Sequence, residues 1–394
     1  MLVSRARLVN GTKLVSRARQ FGGVGALLLV ATLGSGLAQQ NPAELPDPTL
    51  THRPPPKAAT APSVVTPAGR FRLDVTVTDA AGKAVQGLGP QDFKVLDNNA
   101  ARKILTFRSY DGVTVKPEPL VQVVLVIDTA NLPFQQVAFV RDAVGKFLSE
   151  NGGRLAEPVS IMVLSDAGLR VQPRPSTDGR ALLGVLNEVK GSIPTINAAE
   201  GNEGDLERFQ LSVREISRIA DNEALKPGRK LLIWVGPGWP LLDSSKYSFS
   251  DKDQRRYFDS IVELSTKLRE GRVVVDSVAP AASTTVSGLG TTLYQNFLKG
   301  VRTPHQSDSG NLALKVLALQ SGGLVLGPDN DLAGQIDRCV AEANAFYTLT
   351  FDPGYAAAPN EYHDLRVEVD QAGVMARTRT GYYNQPAPAA DVSR

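Results

Sequence analysis

The sequence is short of the residues that most often carry out chemistry. It has 3 histidines and 1 cysteine in 394 residues. His52, His305 and His363 stand far apart, and no two share metal-ligand spacing, which argues against a zinc site. The lone Cys339 cannot make an internal disulfide. Its helical spacing with Ile336 and Val340 in "DLAGQIDRCVAEANAFY" marks a buried, small apolar residue instead. There is no G-x-S-x-G elbow, no P-loop and no strand-linked G-x-G-x-x-G turn. Gly236-Pro237-Gly238 follows a strand, but Pro237 removes an amide donor and no Lys-Ser/Thr comes after it. Long hydrophobic runs are missing too: "FGGVGALLLVATLGSGLAQQ" is too short and glycine-rich for a membrane span.

Acidic residues are absent from the first 38 positions, which carry Arg5, Arg7, Lys13, Arg17 and Arg19. A basic start, a short apolar stretch and small residues ending Gly36-Leu37-Ala38 read as a secretory signal, cleaved after Ala38. The alternative is an uncleaved anchor. The hexapeptide LVSRAR occurs at 2–7 and again at 14–19, which fits a lengthened basic region or a misplaced start better than a structural repeat. Without the leader, 38 basic residues face 40 acidic ones. No basic stripe is left to suggest nucleic-acid binding. Gln39, not a cysteine, stands immediately after the cleavage site, so a lipoprotein anchor is not expected, nor is membrane insertion after cleavage. With 42% hydrophobic and 21% charged residues, the composition excludes a disordered or fibrous chain.

What is present has a clear order. Residues 39–69 are rich in Pro, Ala and Thr and read as an extended linker. In "FRLDVTVTD" Phe71, Leu73, Val75 and Val77 alternate with polar neighbours, as in a half-buried strand. "DFKVLD" and "RKILTFRSY" read as two more strands, giving a β module over 70–118. From 119 to 345 buried strands alternate with helices. The strands are "VQVVLVID", "VSIMVLS", "RKLLIWVG", "RVVVDSVA" and "GLVLG", with a short return strand "LRVQP". Helices are expected at 134–149, 180–190, 205–224, 253–270, 311–320 and 331–343. Continuous apolar strands joined through helices predict a doubly wound, mainly parallel α/β sheet. "AFYTLTFDP", "HDLRVEVD" and "VMARTRTGYY" return to β over 346–386, and 387–394 form a tail. The two β flanks are expected to form one accessory layer. The run 281–310 far exceeds the about 4–6 residues typical of connections and reads as a mobile, functional loop.

Four stretches together carry a resemblance: "VTVTDAAGKAVQGLGPQDFKVLDN", "VVLVIDTANLPF", "LLIWVGPGWP" and "FYTLTFDP…YHDLRVEVDQAGVMARTRTGYY". Over roughly 70–384 the chain resembles the von Willebrand factor A-related family described from acidobacteria. The resemblance implies a Rossmann-like A-domain sheet whose ligand face lies at the carboxyl ends of the parallel strands. It also implies a metal-ion-dependent adhesion site: Asp-x-Ser-x-Ser after the first strand, a later Thr, and an Asp after the fourth. On this chain the first Asp falls on Asp128 and the Thr on Thr195. The serines fall on Ala130 and Leu132, and the distal Asp on Pro237, none of which has a side-chain oxygen. Two oxygen ligands cannot repay dehydration of Mg²⁺, which demands near-octahedral oxygen geometry. The expectation is therefore a degenerate site, with no metal and no cofactor. Asn131, before Leu132-Pro133, is expected to cap the following helix.

Other polar groups read as structural. Asp329, Asn330 and Asp331 lack the later Gly and Glu of a calcium loop, so Asn330 or Asp331 is expected to cap a helix. Glu207 and Glu215 read as a solvated helix face, and Trp234 as core. Trp239, in a loop on the ligand face, is a candidate contact residue because Trp is favoured at binding hot spots. The candidate binding residues are thus Asp128, Asn131, Thr195 and Trp239. The reading is an exported, non-enzymatic protein, periplasmic or extracellular, that mediates binding or adhesion to a protein partner through its strand-end loops. The alternative is a structural envelope component that assembles through its β modules. Export has a direct check: intact-mass analysis of chain recovered from the native envelope should give a mature N-terminus at Gln39, whereas a mass retaining 1–38 would indicate an anchor.

Overall fold

The computed structural model describes residues 70–172, 174–187, 202–242, 250–281 and 294–386. The leader, the linker, Thr195 and the C-terminal tail lie outside the described residues.

At the centre is a seven-stranded sheet. Its strands are β5 (Gln122–Asp128), β6 (Arg154–Ser165), β7 (Gly168–Val171), β8 (Ser176–Asp178), β9 (Lys230–Val235), β10 (Val273–Pro280) and β11 (Val325–Asp329), numbered after four earlier strands given below. The order is β11-β10-β9-β5-β6-β7, with β8 also on β6. Strands β5, β6, β9, β10 and β11 run parallel, whereas β7 and β8 run antiparallel to β6. Every residue of β9 is buried, as its unbroken apolar run requires of a strand covered on both faces. Val123, Leu125 and Ile127 of β5 pack against α1 (Phe134–Ser149), α2 (Gly179–Asn187) and α6 (Leu332–Asn344). Val124 and Val126 face the other way, toward α3 (Asn202–Ala224), α4 (Asp251–Glu270) and α5 (Leu314–Ser321). Two helix starts carry side-chain caps: Ser250 accepts from the Asp253 amide in a capping box, and Asp331, one of the two expected candidates, accepts from Gly334.

The flanking strands do not form a single layer. The first four are β1 (Phe71–Asp79), β2 (Phe93–Asp97), β3 (Ala100–Arg102) and β4 (Thr106–Tyr110). The last four are β12 (Phe346–Phe351), β13 (Glu361–Val369), β14 (Val374–Arg377) and β15 (Gly381–Asn384). They make two antiparallel sheets, β14-β1-β12-β4 and β15-β13-β2-β3, each mixing strands from both ends of the chain. Phe71, Leu73, Val75 and Val77 meet Phe93, Val95, Tyr347, Leu349, Phe351, Leu365, Val367 and Tyr382 between them. The N-terminal module and the C-terminal strands are therefore one β-sandwich, with the α/β domain inserted between β4 and β12. This also explains two breaks. "RKILTFRSY" and "VMARTRTGYY" each read as one strand, but the chain crosses between sheets at 103–105 and again at 378–380, dividing each in two.

The insertion is fastened by buried charge. Arg272, just before β10, donates to both carboxylate oxygens of Asp74 on β1 at 2.8 Å, and Thr348 adds a hydroxyl bond of 2.8 Å. Burial alone would raise the Asp74 carboxyl, but the Arg272 and Arg229 guanidiniums and the Thr348 bond hold it below the ordinary carboxylate value. Arg377 of β14 pairs with Glu342 of α6, and Arg269 lies over the Phe71 ring. Glu215 also departs from expectation: its side chain is buried and paired with Arg214 and Arg218, because on α3 it turns inward where a solvated face was read.

Of the long loop expected at 281–310, residues 282–293 lie outside the described residues, and the rest is ordered into turns. From Tyr294 it forms three short 3₁₀ turns, Tyr294–Phe297, Pro304–Gln306 and Ser309–Leu312. Val301, Ser307, Ser309, Asn311 and Leu312 are buried. The Tyr383 hydroxyl donates to the Val301 carbonyl at 2.9 Å, and Ser307 Oγ donates to that of Gln254. This half of the expected mobile loop is anchored rather than free, because its buried groups find partners on α4, α5 and β15, while Lys299, Arg302 and Gln306 stay exposed.

Candidate functional site

In an open parallel sheet, ligands bind beyond the carboxyl ends of the strands, where the strand order changes direction. Here that point lies between β5 and β9, because the chain leaves β5 toward β6 and leaves β9 toward β10. Asp128 ends β5 at this position and is fully buried.

Its carboxylate is already occupied from within the protein. Trp234 Nε1 donates to Oδ2 at 2.8 Å. The Asn131 backbone N–H donates to Oδ1 at 3.0 Å, and its Nδ2 lies 3.0 and 2.9 Å from Oδ1 and Oδ2. Asn131 Nδ2 also reaches Ser212 Oγ on α3 at 3.0 Å. One carboxylate thus ties the β5–α1 turn to β9 and α3. The approach is close: a Cβ at position 236 would fall 2.8 Å from the Asp128 Cβ, so the end of β9 needs Gly236.

Two sequence expectations change here. Asn131 does not cap α1. The N-cap is Pro133, with no side-chain cap, because the Asn131 amide is engaged by Asp128. Trp239 is not a contact residue. It is 6% exposed, its Nε1 donates to the Leu312 carbonyl at 3.1 Å, and its ring meets Trp234 edge-on at 5.2 Å. An indole followed by Pro240 read as a loop residue, but the segment ending at Leu312 folds over it and supplies both the apolar cover and an acceptor. Asp128 and Asn131 are brought together, and Thr195 lies outside the described residues. Trp234 and Ser212 complete the cluster. Trp234 carried a signal that sequence reading did not use: an indole N–H on a fully buried strand needs an acceptor, and the neighbouring strand ends in Asp128.

The residues around Asp128 do not fit a divalent cation. Mg²⁺ takes oxygens at about 2.0–2.1 Å in octahedral array. Here the carboxylate faces N–H donors, and the two positions that would carry hydroxyls are Ala130 and Leu132, both buried among apolar side chains. Among the described residues, Asn131 Oδ1 is a buried oxygen beside it that has no hydrogen-bond partner. Among the described residues, no group of three or more His, Cys, Asp or Glu is placed to hold a metal. No described helix is long and apolar enough to cross a membrane.

Compared with protein families and with curated proteins, the sequence matches none. Solved structures resemble it loosely in shape. A von Willebrand factor type A protein from Catenulispora acidiphila is 8% identical with a TM-score of 0.31, over 81% of this chain and 74% of that one. The human COPII-coat protein Sec24c is 10% identical with a TM-score of 0.33, over 78% and 48%. The pilus adhesin SpaC from Lactobacillus rhamnosus GG is 12% identical with a TM-score of 0.32, over 77% and 49%. The chain spans about half the length of the last two. Likenesses this distant carry no argument about ligand or activity, so the reading rests on the residues themselves.

Burial raises the Asp128 carboxyl from 3.8 to about 6, against the pull of the Trp234 and Asn131 hydrogen bonds. A carboxyl raised in the folded state binds its proton more tightly there than in the unfolded chain. Its contribution is therefore fully present below about 3.8 and is lost as pH rises through about 6. The difference amounts to about 3 kcal/mol. Asp276, buried on β10 and also raised to about 6 by burial, acts in the same direction and is untouched by a change at 128. Urea unfolding of wild type and Asp128→Asn at several pH values across this range should show a steeper fall for wild type, by about 3 kcal/mol. Parallel profiles would show that Asp128 is not the titrating group.

Proposed function

We propose that the chain is an exported, non-enzymatic binding protein of von Willebrand factor A-like architecture. It engages a protein partner at the strand-end edge of its α/β domain, in an adhesion-type role, and does so without a metal ion. What carries this reading is the pairing of a closed polar site with an exposed apolar one at the same edge. Asp128 is satisfied internally, while Phe134, six residues further on, opens α1 with 54% of its surface exposed. Pro133 before it and Ala138 one turn later are exposed as well, and Phe139 is 39% exposed. Aromatic residues freed from internal packing suit the buried core of an interface. The resemblance to the A-related family supports the same edge.

The scaffold alternative would place assembly on the sandwich edges. Its outer strands β3, β4, β14 and β15 are only three to five residues long, and short edges resist strand addition. The α/β edge is therefore the favoured surface. Trp239 is unsuitable as a probe, because removing it would open the core. A pull-down from native envelope extract should instead compare wild type with Phe134→Asp. Capture should fall at least about tenfold, a loss of about 1.4 kcal/mol, with an unchanged melting temperature. Equal capture would remove the α1 entrance from the binding surface.

A further inference from the structure

A groove of about 570 Å³ lies where the 3₁₀ segment meets β13 and the strand connection at Thr380. That volume falls within the usual range for ligand sites. Its floor is fixed by packing. The backbone at Gly300 rests on the Tyr362 ring, where a Cβ would come within 1.9 Å of ring atoms. Gly310 lies against Phe297 in the same way, at 2.4 Å. Buried Asn311 pins the segment to itself, donating to the Phe297 carbonyl at 3.3 Å and accepting from the Asp308 amide at 2.8 Å. No residue larger than glycine fits at 300 or 310 without moving an aromatic ring, so the groove is a built feature of the fold.

The groups that line it are mainly donors. Arg302 is positioned by the Tyr362 carbonyl at 2.9 Å and by the Asp364 carboxylate, with its guanidinium 5.5 Å from the centre of the Tyr362 ring. Gln306 accepts the Arg302 backbone N–H through Oε1 at 3.0 Å, which leaves its amide NH₂ for a ligand. Lys299 stands exposed on the same rim and makes no ion pair among the described residues. The one carboxylate in the lining, Asp364, is committed to Arg302. A groove with two cations and an amide donor against one paired acid is complementary to carboxylate. Arg302, held in a fixed plane, can accept a second carboxylate beside Asp364.

We propose that this groove receives an acidic segment of the protein partner, with its carboxylates on Lys299, Arg302 and Gln306. The proposal rests on the protein-binding reading above and adds the chemistry of the partner. The test is fluorescence anisotropy of labelled hexaglutamate titrated with the whole chain. Saturable binding is expected. It should weaken at least about tenfold in Lys299→Glu/Gln306→Glu, where like charges oppose the ligand. It should also weaken between about 0.1 and 1 M salt as the Debye length falls from about 10 to about 3 Å. Hexaglutamine should not bind. Both substituted side chains are exposed, and Lys299→Ala alone serves if the double variant melts early. Absent saturation, or equal affinity of wild type and variant, would overturn the proposal. So would tighter binding of an oligogalacturonate, which would make the ligand a sugar acid. If hexaglutamate fails while envelope capture still depends on Phe134, the groove is excluded and the strand-end reading stands. If capture fails as well, the protein-binding reading falls with it.

Discussion

One carboxylate, held by N–H groups of the protein itself, organises the centre of the molecule. Asp128 sits where an open parallel sheet ordinarily presents its ligand site, yet its oxygens are taken up by the Trp234 indole and the Asn131 amides. An ionised group buried this deeply is costly unless every acceptor position finds a donor. The donors come from two elements, the β5–α1 turn and β9, and α3 is tied in because Ser212 Oγ accepts from Asn131 Nδ2. Holding this one charge therefore fixes the relative placement of those elements. A metal ion bound at this carboxylate would have to displace these N–H donors.

The second constraint is covalent order. The sandwich takes its strands from both ends of the chain, so neither end can complete it alone. Phe71 pairs with Phe351 and Val75 with Tyr347 across the whole inserted α/β domain. Closing so long a loop costs entropy. The offsetting contacts lie at the seam, where Arg272 meets Asp74, Arg377 meets Glu342, and Arg269 covers Phe71. The packed 3₁₀ segment joins the same seam from the other side, through Val301 and Tyr383.

Local elements were legible where local physics decides them. The helix at 134–149 stands where its apolar spacing and Pro133 place it, and β5, β9 and β10 follow unbroken apolar runs. Partnership was not legible. Alternation in "FRLDVTVTD" tells which side chains turn inward but not that β12 and β14 lie alongside, and so a two-sheet sandwich read as one accessory layer. The site was half legible. Ala130 and Leu132 declared the missing ligands, but nothing local showed that Trp234 would supply the donor in their stead. Trp239 and Glu215 were misread for one reason: their burial depends on tertiary neighbours, Leu312 for the first and the inward turn of α3 for the second. Asn131 had two local roles available, and the anionic acceptor won over the helix end.

The central claim is that Asp128 is closed to metal by its own hydrogen bonds. The chain has only two tryptophans, so its indole N–H groups give two resolvable signals, and that of Trp234 points at Asp128 from 2.8 Å. Mn²⁺ is paramagnetic and broadens the resonances of protons close to it, so a titration followed on ¹⁵N-labelled chain reads the site directly. Both indole signals should persist unchanged at millimolar Mn²⁺. Loss of both indole signals, whose rings lie 5.2 Å apart, prevented by Asp128→Asn, would show that a metal displaces these bonds and would contradict the account.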